Sequence, residues 1–393
     1  MLIKKVLIDR ADRLYQMPPD ILDFARPLLG KPILPGQPIL DLASFEWPNM
    51  DESAEKLPSD SLLPASTAKL AALKTTLAEW LSQYFGRDRI TPKEIFLGGG
   101  IRSLFYHLAI AFVEPGDPVL VPALGIPAYR KSITAMGGLP VSYPLSSRNN
   151  WSPDFSKISA RVGQAVRVCI INSPHNPTGA ELDEATLEQL ILRCGKENML
   201  LVNDACYHAI PSRKPLCLSA SEYGTKVGLE LFSFSYLLGL PPISFGFAVG
   251  HRHLISALEA AAAIQPVGIP VGFVDMVSSA LRQSGSRSIS SYRQRFTATS
   301  AVAQELLGKL GMTSATPATT PFLWAKIPQR RNSVAFARML LKRYRILTVP
   351  GTSFGESGQG YVRLSLTAPK DRYQSAIDRI KARHLLPRRR SST

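Results

Sequence analysis

Between about residues 66 and 250 the chain alternates helical apolar patterns with short, nearly continuous apolar runs. The helical patterns cover 68–85, 103–112, 128–136 and 181–194. Between them lie Ile95-Phe96-Leu97, Pro118-Val119-Leu120-Val121, Val166 to Ile171 and Met199 to Val202. Runs this apolar do not suit strands with one face in water. They predict buried, largely parallel strands with helices on both faces of the sheet, an α/β fold. Beyond residue 250 the pattern changes to long helices over 254–263 and 291–310, then short strands at 322–327 and 361–366, which reads as a smaller α+β domain. The expected division is an N-terminal segment 1–50 joining the small domain, a large domain 51–275 and a small domain 276–393. The sequence carries no internal repeat and no low-complexity tract.

Composition supports a large globular protein. With 393 residues, 45% apolar and 19% charged, the chain is not disordered, and at roughly 150 residues per domain it has room for two or three cores. The net charge is +16, of which +6 falls in residues 370–393. The terminal Pro387-Arg388-Arg389-Arg390 reads as a solvated tail, and no nucleic-acid motif accompanies it, so nucleic acid is not an expected partner. Cys169, Cys194, Cys206 and Cys217 lie far apart without metal-ligand spacing, so no metal is expected and the thiols read as buried in a reducing compartment. Neither an apolar leader after Met1-Leu2-Ile3-Lys4-Lys5 nor an apolar run near the ~20 residues of a membrane span is present, so a cytoplasmic protein with no membrane partner is expected.

In α/β folds ligands gather beyond the carboxyl ends of the strands. Four segments stand there. Leu97-Gly98-Gly99-Gly100-Ile101-Arg102-Ser103 opens onto a helix start, whose free N–H groups suit an anion. Asn172-Ser173-Pro174-His175-Asn176-Pro177-Thr178-Gly179 has a backbone fixed by two prolines. Val202-Asn203-Asp204-Ala205-Cys206-Tyr207 puts a carboxylate at the end of an apolar strand, and the stretch from Phe232 to Gly250 carries Ser233, Ser235 and Tyr236. In order and spacing these segments resemble the class I/II aminotransferases, pyridoxal-phosphate (PLP) enzymes of fold type I. The resemblance covers most of the chain, including Glu114-Pro115-Gly116-Asp117-Pro118, Pro350-Gly351-Thr352-Ser353-Phe354-Gly355 and Tyr361-Val362-Arg363-Leu364-Ser365.

The resemblance implies a mostly parallel sheet between helices plus a smaller α+β domain. It further implies PLP contacts from Asn176 and Tyr207 to the phenolic oxygen and from Asp204 to the pyridinium nitrogen. Ser233, Ser235 and the Gly100-Ile101-Arg102 turn would face the phosphate, and Arg363 the substrate carboxylate. An aspartate suits its place because a fixed negative charge keeps the ring nitrogen protonated. Substrates would be amino acids and 2-oxo acids, and the site would lie in a dimer.

Departures from the family pattern are concentrated on one ligand. Tyr236 stands where the family has its Schiff-base lysine, and a phenol forms no imine. Ser244 replaces the phosphate-gripping arginine, Pro242 a glycine, and Ile126 the aromatic that stacks on the ring. Loss of a charge-assisted phosphate contact costs about 2–5 kcal/mol in a desolvated site. Lys214 and Lys226 lie on the wrong side of the Phe232 strand to take the lysine's place. Normal transamination is therefore not expected, and PLP, if bound at all, would be held without a covalent link. Three readings follow: a transaminase by ancestry with a degenerate site, a non-catalytic subunit in a homodimer or in a heterodimer with a related chain, and a PLP-free enzyme using Arg363 for a carboxylate and Asp204, Tyr207 and Tyr236 for proton transfer. The segment Phe45-Glu46-Trp47-Pro48 is expected near the substrate.

Overall fold

The apolar runs become strands buried along nearly their whole length, and the computed structural model of the chain assembles them into one seven-stranded sheet. It describes residues 13, 17–25, 38–44, 59–87, 90–155, 158, 163, 165–211, 216–240, 243–266, 268–283, 286–314, 319–328 and 332–385, with the side chains of 286–289, 291–292 and 383–385 left aside. The segment 45–48, Lys214, Pro242 and the tail 387–390 lie outside these residues.

In chain order the elements used below are β1 (Leu40–Asp41), α1 (Thr67–Phe85), β2 (Ile95–Gly98), α2 (Ile101–Phe112), β3 (Pro118–Pro122), α3 (Pro127–Ala135), β4 (Leu139–Tyr143), β5 (Val168–Asn172), α4 (Glu184–Lys196), β6 (Leu200–Asp204), α5 (Glu222–Val227), β7 (Gly228–Ser233), α6 (Phe234–Leu238), β8 (Gly246–Gly250), α7 (Arg252–Ile264), α8 (Val271–Arg282), α9 (Ser286–Lys309), β9 (Phe322–Lys326), α10 (Ser333–Tyr344), β10 (Ile346–Leu347), β11 (Val349–Pro350), β12 (Tyr361–Ser365) and α11 (Lys370–Leu385). The large sheet runs β2-β8-β7-β6-β5-β3-β4. All neighbours pair in parallel except β8, which is antiparallel to both β2 and β7. This is the mostly parallel, helix-covered sheet that the apolar runs predicted.

Local chemistry sets the element ends. The Ser66 side chain accepts from Lys69 N to start α1, which buries Leu73, Leu77 and Leu81 at four-residue spacing and stops at Gly86 in the left-handed conformation. The helix predicted from 181 begins at Glu184 instead, because Asp183 caps it by accepting from Thr186 N at 2.7 Å. The stretch 232–250, one of the four segments expected beyond the strand ends, is the end of β7, the short α6 and the whole of β8.

A three-stranded antiparallel sheet, β11-β12-β9, and the parallel pair β1-β10 form the second layer with α9, α10 and α11. One apolar cluster joins Tyr207 and Ile210, just after β6, to Leu323, Val362 and Ile377. Another joins Leu120, Cys169 and Leu201 of the large sheet to Trp324, Leu347 and Phe354. Where the two layers meet, Gly355 has φ +131°, and a Cβ there would lie 2.1 Å from Ala123 O, so only glycine fits. Gly125 N donates to Phe354 O beside it at 2.8 Å, which fixes the turn after β3 against the small sheet.

Candidate functional site

Crossing from strand to helix at the carboxyl ends of β5 and β6 leaves loops whose backbone must find partners, and Asn172 supplies them. Its Nδ2 donates to Asp204 O at 2.7 Å and Pro174 O at 3.0 Å, and its Oδ1 accepts from Asn176 N at 2.7 Å. The two loops are thereby locked together. They open onto a cavity of about 490 Å³ whose wall includes Arg102, Asn176, Asp204, Tyr207, Tyr236 and Arg363. Sequence reading had scattered these residues over the chain from 102 to 363, and the fold brings them together.

Asn176 is fully engaged. Its Nδ2 donates to Tyr207 Oη at 3.2 Å, and Arg363 Nη1 donates to its Oδ1 at 3.1 Å. Arg363, on β12, also donates from Nη2 to Ala43 O at 3.2 Å and lies 3.9 Å from the Phe322 ring centre and 4.9 Å from that of Phe354. It is 6% exposed, and its Nε has no hydrogen-bond partner among the described residues. Burial pulls its pKa down to about 10, which leaves it cationic at neutral pH. A planar guanidinium held between rings is preorganised for a carboxylate.

Asp204 is buried at the end of β6. Tyr129 Oη donates to its Oδ2 at 2.6 Å and Cys206 N to its Oδ1 at 3.1 Å. Burial raises the carboxyl pKa, and these two hydrogen bonds only partly offset it. Tyr236, on α6, is half-buried with its ring 5.0 Å from that of Tyr207, tilted by 53°. Burial pushes both phenols above their ordinary range, so both stay protonated at neutral pH and neither serves as a base.

Other expected positions fall elsewhere. Ile101 and Ile126 are on the cavity wall, whereas Gly100, Ser233 and Ser235 are not. Gly100 starts α2 with φ +84°, and a Cβ there would touch the Ser244 backbone at 3.4 Å. The Ser235 hydroxyl accepts from Ile243 N at 3.2 Å and donates to Ile243 O at 3.3 Å, which ties α6 to the strand that follows. Ser244 is exposed. Arg102 is exposed and makes no ion pair or hydrogen bond among the described residues. Lys226 pairs with Glu222 on α5, away from the cavity.

Three residues of the site were missed in the sequence. Tyr129 buttresses Asp204, while Lys131 lies on the cavity wall and pairs with Asp20. The available signal was helical spacing: Ala128, Lys131, Ser132 and Ala135 of α3 form one stripe on the wall. Asp20 carried no signal, because its place depends on a contact across more than a hundred residues.

Comparison with known sequences decides the family. The family model described as aminotransferase class I and II matches residues 56–380. The chain belongs to this family. Curated class I/II relatives include the LL-diaminopimelate aminotransferase of Halothermothrix orenii, 28% identical over 95% of this chain and 98% of that protein. That of Dehalococcoides mccartyi is 30% identical over 80% and 81% respectively. Among solved structures, substrate-bound BacF from Bacillus subtilis superposes with a TM-score of 0.84 at 25% identity, covering 96% of this chain and 98% of that one. The probable N-succinyldiaminopimelate aminotransferase from Thermus thermophilus gives 0.79 at 22% identity over 92% and 98%, a likeness of fold. PLP is the cofactor this aminotransferase family implies. Among the described residues no helix is long and apolar enough to cross a membrane, and no cluster of His, Cys, Asp or Glu could hold a metal.

Proposed function

We propose that this aminotransferase relative binds a small amino acid or 2-oxo acid by its carboxylate at Arg363 and is deficient in normal transamination. The observation that carries the reading is Tyr236: a protonated phenol packed on Tyr207 occupies the cavity wall at the position that resemblance gives to the Schiff-base lysine. The residues present do not fit a PLP anchored at both ends. No amine is offered at Tyr236, the Ser235 hydroxyl is committed to Ile243, Ser233 is off the wall, and exposed Ser244 brings no cation. At the ring end, Asn176 is spanned by Tyr207 and Arg363, and Asp204 already accepts from Tyr129 and Cys206. PLP held there would be held without a covalent link.

What the chain's own residues do is simpler. Arg363 orients a carboxylate, the Phe322 and Phe354 rings keep water from its faces, and Tyr207 and Asn176 hold it in register. In a PLP-free enzyme the proton would pass through Asp204, because the raised pKa values of Tyr207 and Tyr236 remove them as bases. The subunit reading, a homodimer or a dimer with a related active chain, draws support from Leu62 and Leu63, which are 74% and 60% exposed beside α8. A large domain 51–275, a small domain 276–393 and a cytoplasmic location belong to the same proposal.

Incubation with PLP, borohydride reduction and peptide mapping tests it. The native chain is expected to give no stoichiometric adduct on any single lysine, and Tyr236→Lys combined with Ser244→Arg to give one, on the introduced lysine. A stoichiometric adduct on a native lysine would overturn the reading.

A further inference from the structure

Glu230, on β7, is fully buried and takes no part in the cavity wall. It stands in register with Asn203 on β6, so both side chains rise from one face of the sheet, while Asp204, one residue on, points to the other. Among the described residues the carboxylate meets three N–H donors and no cation. Asn203 Nδ2 donates to Oε1 at 2.8 Å and Leu218 N at 3.1 Å, and Ser219 N donates to Oε2 at 2.9 Å. Burial raises its pKa, and these bonds offset that only in part. A lone buried charge is costly, so the position calls for what only a carboxylate offers: acceptors on both oxygens and no donor.

Asn203 is where that property acts. Its amide has a donor end and an acceptor end of nearly the same shape, and its neighbours decide which way it points. Because Glu230 only accepts, the NH2 group faces Glu230, and Oδ1 turns to accept from Ser173 N at 3.1 Å. Ser173 opens the loop 173–179, and its Oγ accepts from Leu182 N at 3.1 Å, beyond the loop's far end. That loop carries Asn176, whose Oδ1 accepts from Arg363.

We propose that Glu230 is a positioning residue for the carboxylate site: acting through Asn203, it fixes the loop that holds Asn176 against Arg363. The inference rests on the reading that Arg363 takes a carboxylate. Asn172 ties Asn176 to the end of β6 from the cavity side, and the pair Asn203 and Glu230 holds the same loop from behind. A donor at position 230 upsets this order. Glutamine there presents its NH2 either to Ser219 N, donor against donor, or to Asn203, which must then turn its own NH2 toward Ser173 N.

Calorimetry with butyrate on the full chain reads the site, and hydrogen exchange of the peptide 173–179 reads the loop without any ligand. Glu230→Gln is expected to weaken butyrate binding about tenfold, the worth of one hydrogen bond, and to speed exchange in the loop by a similar factor. Combining Asn203→Asp with Glu230→Gln restores the order of donors and acceptors, since the aspartate accepts from both the glutamine and Ser173 N, while Leu218 N stays unanswered. Affinity and slow exchange should therefore return in the double variant although its melting temperature stays below the native one. A residue that only braced the turn 217–219 would leave binding unchanged in the folded single variant, or lose it in step with the melting temperature and without rescue. Either result overturns the proposal. Should Glu230→Gln fail to fold, Asn203→Ala carries the same test: it leaves the carboxylate its two backbone donors, and unaltered binding and exchange in it sink the positioning role. Absence of butyrate binding to the folded native chain would sink the Arg363 reading alone, and the exchange rates would then decide whether Glu230 fixes the loop.

Discussion

His175 shows how a single buried side chain can set a property of the whole protein. Its Nε2 faces Leu124 O at 2.8 Å, and a carbonyl can only accept, so Nε2 carries the proton and Nδ1 accepts from Thr178 Oγ1 at 2.7 Å. Burial pulls the pKa down to about 4, against about 6.5 for an unfolded histidine. Between those values the unfolded chain binds the extra proton and the folded one does not. Stability from this group is therefore full above pH 6.5 and is lost as pH falls toward 4, by about 3 kcal/mol. Urea unfolding at pH 7 and pH 4 should show the native chain losing that much more than His175→Gln, which has no charge to gain. Equal pH slopes would mean that the ring is solvated in the folded protein. On the same scale Tyr236 and Arg363 were both recognised in sequence only through resemblance, which for Arg363 included its flanking Tyr361-Val362 and Leu364-Ser365.

At the scale of elements, the site depends on junctions more than on strands. The turn 351–355 reaches the loop after β3 through Gly355, where a Cβ would run into Ala123 O. Gly355→Ala combines a backbone conformation costing about 1–3 kcal/mol with that collision. We expect it to lower stability by roughly 3 kcal/mol, and carboxylate binding with it, because Phe354 beside it flanks Arg363. A thermal melt paired with calorimetry checks both, and an unchanged melt would show that the junction yields. Strand and helix positions were legible in the chain because burial on both faces leaves an unbroken apolar run and a helix leaves its stripe. Helix starts were less so: the beginning of α4 was set by one carboxylate, Asp183. Strand β8 was hidden because its three apolar residues lie between glycines in a stretch already rich in apolar residues.

At the scale of the molecule, apolar clusters run through both layers rather than stopping between them: Tyr207 and Ile210 share one with Val362, and Leu120 and Cys169 share another with Trp324. Shared burial couples the layers, so we expect circular dichroism and fluorescence of the four tryptophans, Trp47, Trp80, Trp151 and Trp324, to trace one coincident urea transition. Two separated transitions would show that each layer is stable alone. The sequence by itself determined the mostly parallel α/β sheet and the order of the four segments placed beyond its strands, because these are written in local pattern and residue identity. Only the tertiary structure decided that Ser235 closes a turn, that Tyr129 answers Asp204, and that Lys131 and Asp20 share the cavity with Arg363. The first is a contact across eight residues and the others join residues 75 and 111 apart in the chain. A side chain's partner is chosen by which surfaces folding buries together, and no local pattern records that choice.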